Sequence, residues 1–378
     1  MTLREVRPVS KLADTKVFNN PAVFVEGWYW ALPSTELKGK PVGVELLGKN
    51  LVIYRGKSGQ AYALDAYCPH MGAHFKEGKV DGEAIRCGFH DWKFSEKGKC
   101  INIPCQKYRD KTEIVPPVNT YPLEEKYGLI WIHSSGNAEK ASQDPLPQFS
   151  ELGPDAEMEV LVRERTFRPC RPEVVMLNAI DAHHFNSVHP AASRLTGEMD
   201  LRAIRLNRQA IRLDNQSPVP TYNWIGRLLK PFYSKNILTY FLDYWYASTG
   251  VVTLGPDFLH LYLMFPHRPT VQGGTEGIML FATRKRKGPL GWLLARLIVW
   301  VTYIAGNYFE KGDRLIFESI RFSMRAPVKA DHPIIEFIRH SEEQVSRPLP
   351  WKDSAPAELG LRRALTVLSE EQKEEEVV

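Results

Sequence analysis

The chain has 378 residues, of which 43% are hydrophobic, 25% charged and 11% aromatic. That length suits two or three domains with a sizeable core, and the composition excludes a mainly disordered, collagen-like or coiled-coil protein. The 49 basic and 44 acidic residues leave a dispersed +5, so no nucleic-acid partner is expected, and five cysteines in so long a chain exclude a dense disulfide framework.

Residues 1–21 carry charges but no apolar segment ending in a small-residue cleavage site. They read as an N-terminal arm, with a cytoplasmic, reducing location as the default. A first domain is expected over residues 22–145. Its text is short strands: Leu51–Arg55 and Ala61–Asp65 flank the turn Gly56-Lys57-Ser58-Gly59, and Lys93–Ser95 runs into the turn Glu96-Lys97-Gly98. Gly128–His133 reads as its last strand, and the polar, Pro-containing stretch Ser134–Gln148 as a linker or crossover.

A second domain is expected over residues 146–350, followed by a tail, 351–378. Met158–Phe167, Leu201–Leu213, Val251–Phe265 and Gly277–Arg284 read as strands, each bounded by Gly, Pro, Asn or Asp. Helices are expected over Leu290–Met324 and Pro333–Val345. An all-β unit followed by an antiparallel sheet with a long helix is an α+β arrangement. No charge-free apolar run is long enough to span a bilayer; the nearest approach, Pro289–Ala305, is broken by Arg296.

Two segments carry chemistry. The first is Cys68-Pro69-His70-Met71-Gly72 with Cys87-Gly88-Phe89-His90, or C-x-H, sixteen residues, then C-x-x-H. Two thiolates and two imidazoles suit either a tetrahedral zinc or a [2Fe–2S] cluster with two Cys on one iron and two His on the other. A zinc site of this composition usually groups its cysteines together and its histidines together. Here each loop offers one of each, which suits two metals. Gly72 and Gly88 beside the ligands suggest close backbone approach to the sulfides. The bland alternative is two buried thiols and unrelated histidines.

Extended to Asp91-Trp92, this segment resembles the Rieske motif of ring-hydroxylating oxygenase α-subunits. It lacks the extra cysteine in each loop that marks the respiratory Rieske proteins, which implies a cluster of lower potential. Cys68, His70, Cys87 and His90 are then the cluster ligands, and Cys100, Cys105 and Cys170 are structural. The second segment, Asn178-Ala179-Ile180-Asp181-Ala182-His183-His184-Phe185-Asn186-Ser187-Val188-His189, contains D-x2-H-x4-H. Alone it is a weak signal. Beside the first it resembles the same family's mononuclear iron motif, in which two imidazoles and one carboxylate bind one face of Fe(II).

The resemblance makes His184 and His189 iron ligands and places the carboxylate on the last long helix. Asp313 is favoured there, with Glu310 and Glu318 as alternatives; His183 is expected to be structural. It also implies that the Asp181 carboxylate joins an iron-binding His to a cluster His of a neighbouring subunit. Asn178, three residues before Asp181, matches the monooxygenase-type members and tilts the expectation toward one-oxygen insertion or demethylation over cis-dihydroxylation.

The resemblance further implies a helix-grip second domain, a homotrimer, and electrons from NAD(P)H through a separate flavin reductase, with or without a ferredoxin. No G-x-G-x-x-G follows a strand, so the reductase is not part of this chain. The basic run Arg284-Lys285-Arg286-Lys287, leading into the Trp-bearing stretch from Gly288 to Trp300, suits either a core helix or a peripheral membrane contact. The aromatic stretch Trp224–Tyr246 suits either a substrate mouth or core filling.

The cluster-bearing half looks most like the ketosteroid hydroxylase and cholesterol desaturase branch. The expected activity is hydroxylation, desaturation or demethylation of a small hydrophobic, sterol-like substrate. A chlorophyll-pathway oxygenase is the alternative within the family. An electron carrier with a non-catalytic, ligand-binding second domain is the alternative outside it.

Overall fold

The computed structural model describes residues 15–104, 115–152, 156–190, 193 and 196–349. Cys105, most of the N-terminal arm and the tail 351–378 lie outside the described residues. The chain divides into two compact units, one of residues 26–146 and one of residues 1–25 with 147–378.

The 26–146 unit is built from short antiparallel sheets. Trp28–Pro33 and Leu129–His133 pair at its centre, with Leu123–Lys126 on the outer edge of Leu129–His133. Both central strands are continuous apolar runs rather than alternating ones, and Trp30, Ala31, Leu32 and Trp131 are fully buried. Val42–Leu46, Lys49–Arg55 and Ala61–Asp65 form a second meander, with Arg55 opposite Ala61 across the expected turn. Lys79–Asp81, Ala84–Arg86, Lys93–Phe94 and Cys100–Asn102 form a third sheet.

The expected linker is not featureless. Asn137 caps a short helix, Ala138–Gln143, by accepting from the Lys140 N–H, and Ala141 is buried beneath it. Asp144 then meets His133 Nε2 at 3.0 Å, which fastens the segment to the last strand. The unit begins at Glu26 rather than at 22 because Val23–Val25 pairs with Ser346–Pro348 of the other unit.

The second unit carries a nine-stranded antiparallel sheet. Its main path runs Met158–Val162, Leu280–Arg284, Leu261–Pro269, Thr249–Leu254, Tyr240–Trp245, Ala210–Asn215 and Leu201–Arg205; Thr166–Arg168 pairs with Thr275–Gly277 beside it. Three of the four strands read from sequence are in fact pairs of strands, at 158–168, 201–215 and 249–269, and Tyr240–Trp245 is an additional one.

A 32-residue helix, Gly288–Ser319, packs on Leu280–Arg284, Met158–Val162 and Leu261–Pro269. At 1.5 Å per residue it is about 48 Å long. It stops five residues short of Met324. The backbone turns extended at Ile320, and Phe322 packs edge-on against Phe18 with centroids 5.4 Å apart. A shorter helix, His332–Glu342, closes the described chain before the last strand. The fold class is therefore α+β, as the order of elements implied.

Candidate functional site

The cysteine and histidine loops share one backbone design. In the first, the Cys68 N–H donates to Ala73 O, five residues on, and the Gly72 N–H donates back to Cys68 O. In the second, the Cys87 N–H donates to Trp92 O and the Asp91 N–H to Cys87 O, with the same offsets. Gly72 and Asp91, in equivalent places, both adopt left-handed φ, +73° and +58°. Glycine does this without strain and aspartate tolerates it. Gly88 is required for another reason: a Cβ there would collide with the Glu77 carbonyl, so this loop rests on the neighbouring backbone.

Both cysteines sit in the hydrophobic core with Val52, Tyr54, Leu64, Phe75, Ile85 and Phe94, and each is 2% exposed. Both histidines are exposed. Their rings lie 4.6 Å apart, and Trp92 stacks on His70 at 4.2 Å and 8°. Burial pushes the Cys68 thiol up to about 11, so a metal that binds there must displace its proton. Two buried soft donors beneath two exposed imidazoles fit a [2Fe–2S] group with inner thiolate and outer histidine ligands. Cys100 and Cys170 are half-buried, and burial raises the thiol of Cys170, a free cysteine, to about 12.

In the second unit, the helix Pro172–Ile180 starts on Pro172, whose missing N–H costs nothing in the first turn. It ends at Asp181, and the short helix His184–Val188 follows. His184, His189 and Asp313 each bring one ligand atom within 4.8 Å of the others. Asp313 Oδ1 lies 2.7 Å from His189 Nε2 and 3.7 Å from His184 Nε2. His184 Nδ1 is held by the main-chain carbonyl of Asp181. Its Nε2 is buried with no hydrogen-bond partner, as is Nδ1 of His189. An orphaned imidazole nitrogen facing a carboxylate and a second imidazole is what a two-His, one-carboxylate iron site requires.

Gly312 makes the approach of the long helix to His189 feasible, since a Cβ there would stand 2.9 Å from His189 Cε1. The alternative carboxylates are engaged elsewhere. Glu310 bridges Arg163 and Arg168. Burial alone would raise its carboxyl, but hydrogen bonds from the two arginines outweigh that and hold it below the usual value. Glu318 pairs with Arg314 at 2.8 Å on the exposed side. His183 is exposed.

The expected carboxylate bond from Asp181 to an iron-binding histidine is absent. Its Oδ1 accepts from the His183 N–H at 2.9 Å, and its carbonyl does the holding. The reason is positional: Asp181 follows the last helical residue, where main-chain carbonyls lose their helical partners and are free to meet a side chain three residues on.

These residues open on a cavity of about 230 Å3. Val175, Val252, Leu254, Leu261, Leu263, Phe265, Phe309 and Phe317 line it, and Asn178 joins His184, His189 and Asp313 on the wall. Glu310, the alternative carboxylate, lines it too, and Arg163, Arg168 and His267 add polar atoms that no motif signalled. His267 is buried and pushed down to about 4, so it is neutral; its Nδ1–H donates to Phe265 O at 2.8 Å. Of the aromatic stretch, Tyr240 lines the cavity, Tyr244, Trp245 and Tyr246 are core, and Trp224 and Phe232 are exposed.

Residues 27–122 match the family model for the Rieske [2Fe–2S] domain. Cholesterol 7-desaturase nvd of Bombyx mori is 32% identical over 363 residues, covering 88% of this chain and 74% of that protein. The 3-chlorobenzoate-3,4-dioxygenase oxygenase subunit of Comamonas testosteroni is 34% identical over 167 residues, but the match spans 43% of this chain and only 37% of that relative's length. Among solved structures, Pseudomonas putida CBB5 NdmA superposes with a TM-score of 0.62 at 18% identity, covering 87% of this chain and 97% of that one, which establishes a shared fold.

Proposed function

The chain belongs to the Rieske non-haem iron oxygenases, and on that premise we propose that it inserts oxygen into, desaturates or demethylates a small hydrophobic substrate. The observation that carries this is the convergence of His184, His189 and Asp313 on the wall of a mainly apolar cavity. When bound, the [2Fe–2S] group supplies single electrons and the mononuclear Fe(II) supplies dioxygen activation. Cys68, His70, Cys87 and His90 hold the first; His184, His189 and Asp313 hold the second.

The other residues set up that chemistry. The Asp181 carbonyl fixes the Nδ1–H tautomer of His184 and so presents the Nε2 lone pair. The apolar side chains exclude water and hold the substrate by burial. Asn178 offers an amide to the cavity. The Asp181 carboxylate serves as the link to a cluster histidine of a neighbouring copy, within the homotrimer that the family resemblance implies. A separate flavin reductase, with or without a ferredoxin, supplies electrons from NAD(P)H.

The relative from Bombyx mori is named for cholesterol, and a sterol-like substrate is the reading favoured here. At about 230 Å3 the cavity is below the roughly 300–1,000 Å3 of pockets for drug-sized ligands, so a polycyclic substrate either extends through the mouth or widens the cavity. A membrane surface is the natural reservoir for such a molecule. The test is oxygen uptake by the iron-loaded chain with reductase and NADH, across sterols and smaller aromatic substrates, with products identified by mass spectrometry. Substrate-dependent product is expected. Electron flow without any product, in protein that holds only about two irons per chain, would support the carrier reading instead.

A further inference from the structure

The long helix Gly288–Ser319 has two unlike apolar faces. Ala295, Ile298, Val299, Thr302 and Gly306 are buried and occupy an arc of about 100° on a helical wheel. Leu290, Leu293, Leu294, Leu297, Val301 and Ile304 occupy another arc of about 100°, centred about 140° away. These six are exposed, Leu290 by 82%, Leu293 by 58% and Leu297 by 53%. A soluble helix ordinarily places charge on the side opposite its core face. Here that side is a continuous aliphatic stripe with Trp300, 56% exposed, at its border.

Immediately before the helix stand Arg284, Lys285, Arg286 and Lys287, all exposed. The helix is long and apolar enough to cross a bilayer, but its inner face packs along the sheet and carries Thr302, Gly306, Phe309 and Asp313 of the cavity wall. It cannot span a membrane with that face covered.

We propose that the first half of this helix lies flat on an anionic lipid bilayer, with the stripe sunk among the acyl chains and the basic run on the headgroups. The charge is complementary to anionic lipid, and an interfacial Trp beside an aliphatic face is suited to the headgroup boundary. The stripe and the cavity wall overlap at one turn, where Val301 and Ile304 are exposed and Thr302 and Gly306 line the cavity; there the helix separates bilayer from cavity by about its own width, roughly 10 Å, so an apolar substrate moves from lipid to cavity with little exposure to water. That last step rests on the function proposed above; binding to the bilayer does not.

Flotation of the full, iron-loaded chain with vesicles tests this. Binding is expected to phosphatidylcholine vesicles containing phosphatidylglycerol, and to weaken on raising salt or omitting the anionic lipid. Each basic residue near such a surface strengthens binding about fivefold, so R286Q/K287Q should bind about 25-fold more weakly. L293S/L297S should lose binding while both metals and the circular dichroism spectrum stay unchanged. Undiminished binding of either variant would overturn the proposal. So would failure of the wild type to float, with L293S/L297S instead lowering the oligomer mass by light scattering, because the stripe would then cover a second copy of the chain. Vesicle binding by a chain inactive on every substrate would leave this proposal standing and remove only the substrate reading.

Discussion

The indole of Trp92 lies parallel to the imidazole of His70, 4.2 Å away and tilted by 8°. It covers one face of a ring whose residue is exposed and whose other neighbour is the His90 ring, 4.6 Å away. Trp92→Leu should therefore raise the cluster's reduction potential, because water stabilises the more negative reduced form, by on the order of tens of millivolts. A potentiometric titration followed by electron paramagnetic resonance near g of about 1.9 measures this. An unchanged potential with an intact signal would mean that the stack does no more than pack.

Asp313 and Glu310 stand one helical turn apart with different partners. Asp313→Ala should reduce iron from about three to about two atoms per chain and abolish turnover while the cluster signal persists. Glu310→Gln should retain all the iron, since Glu310 serves Arg163 and Arg168. Its cost is stability, about 1–3 kcal/mol, from breaking a half-buried ion pair. Metal analysis with chemical denaturation separates the two outcomes.

Asp181→Asn keeps the main-chain carbonyl that holds His184, so both metals should remain bound. If the carboxylate links successive copies, product formation should fall by at least about 100-fold, with single-turnover electron transfer from cluster to iron slowed in step. Turnover near that of the wild type would remove the bridging role.

His267 supplies a pH dependence. Burial lowers its folded value to about 4, against an ordinary value near 6.5. Below about 6.5 the unfolded chain takes up a proton that the folded chain refuses. This group's contribution is thus present in full above that pH and is lost as pH falls toward 4, by up to about 3 kcal/mol. His267→Gln should flatten the fall in unfolding free energy between pH 6.5 and 4, measured by urea titration at several pH values.

Both metal motifs were legible because each is local: the cluster loops fit within 23 residues, and His184 and His189 lie five apart. Asp313 comes from 124 residues beyond His189, and only likeness to a family pointed to it. The Arg163–Glu310–Arg168 bridge had no signal, since it joins an arginine just past one strand and another within a strand to a helix more than 140 residues away. The Asp181 carbonyl was missed for a different reason. A motif names side chains, whereas here the main chain at a helix end does the holding. The split of long β-like runs into hairpins and the helical turn at Ala138–Gln143 turned on tertiary contacts that periodicity does not encode.

The twin turns at Cys68 and Cys87 are held by main-chain bonds at matching offsets. Met71 and Phe89, 65% and 61% exposed, ride on those turns beside the histidines. The Met71 and Phe89 side chains can thus change while the anchoring cysteines stay in register, provided Gly72 and Gly88 keep the turns open.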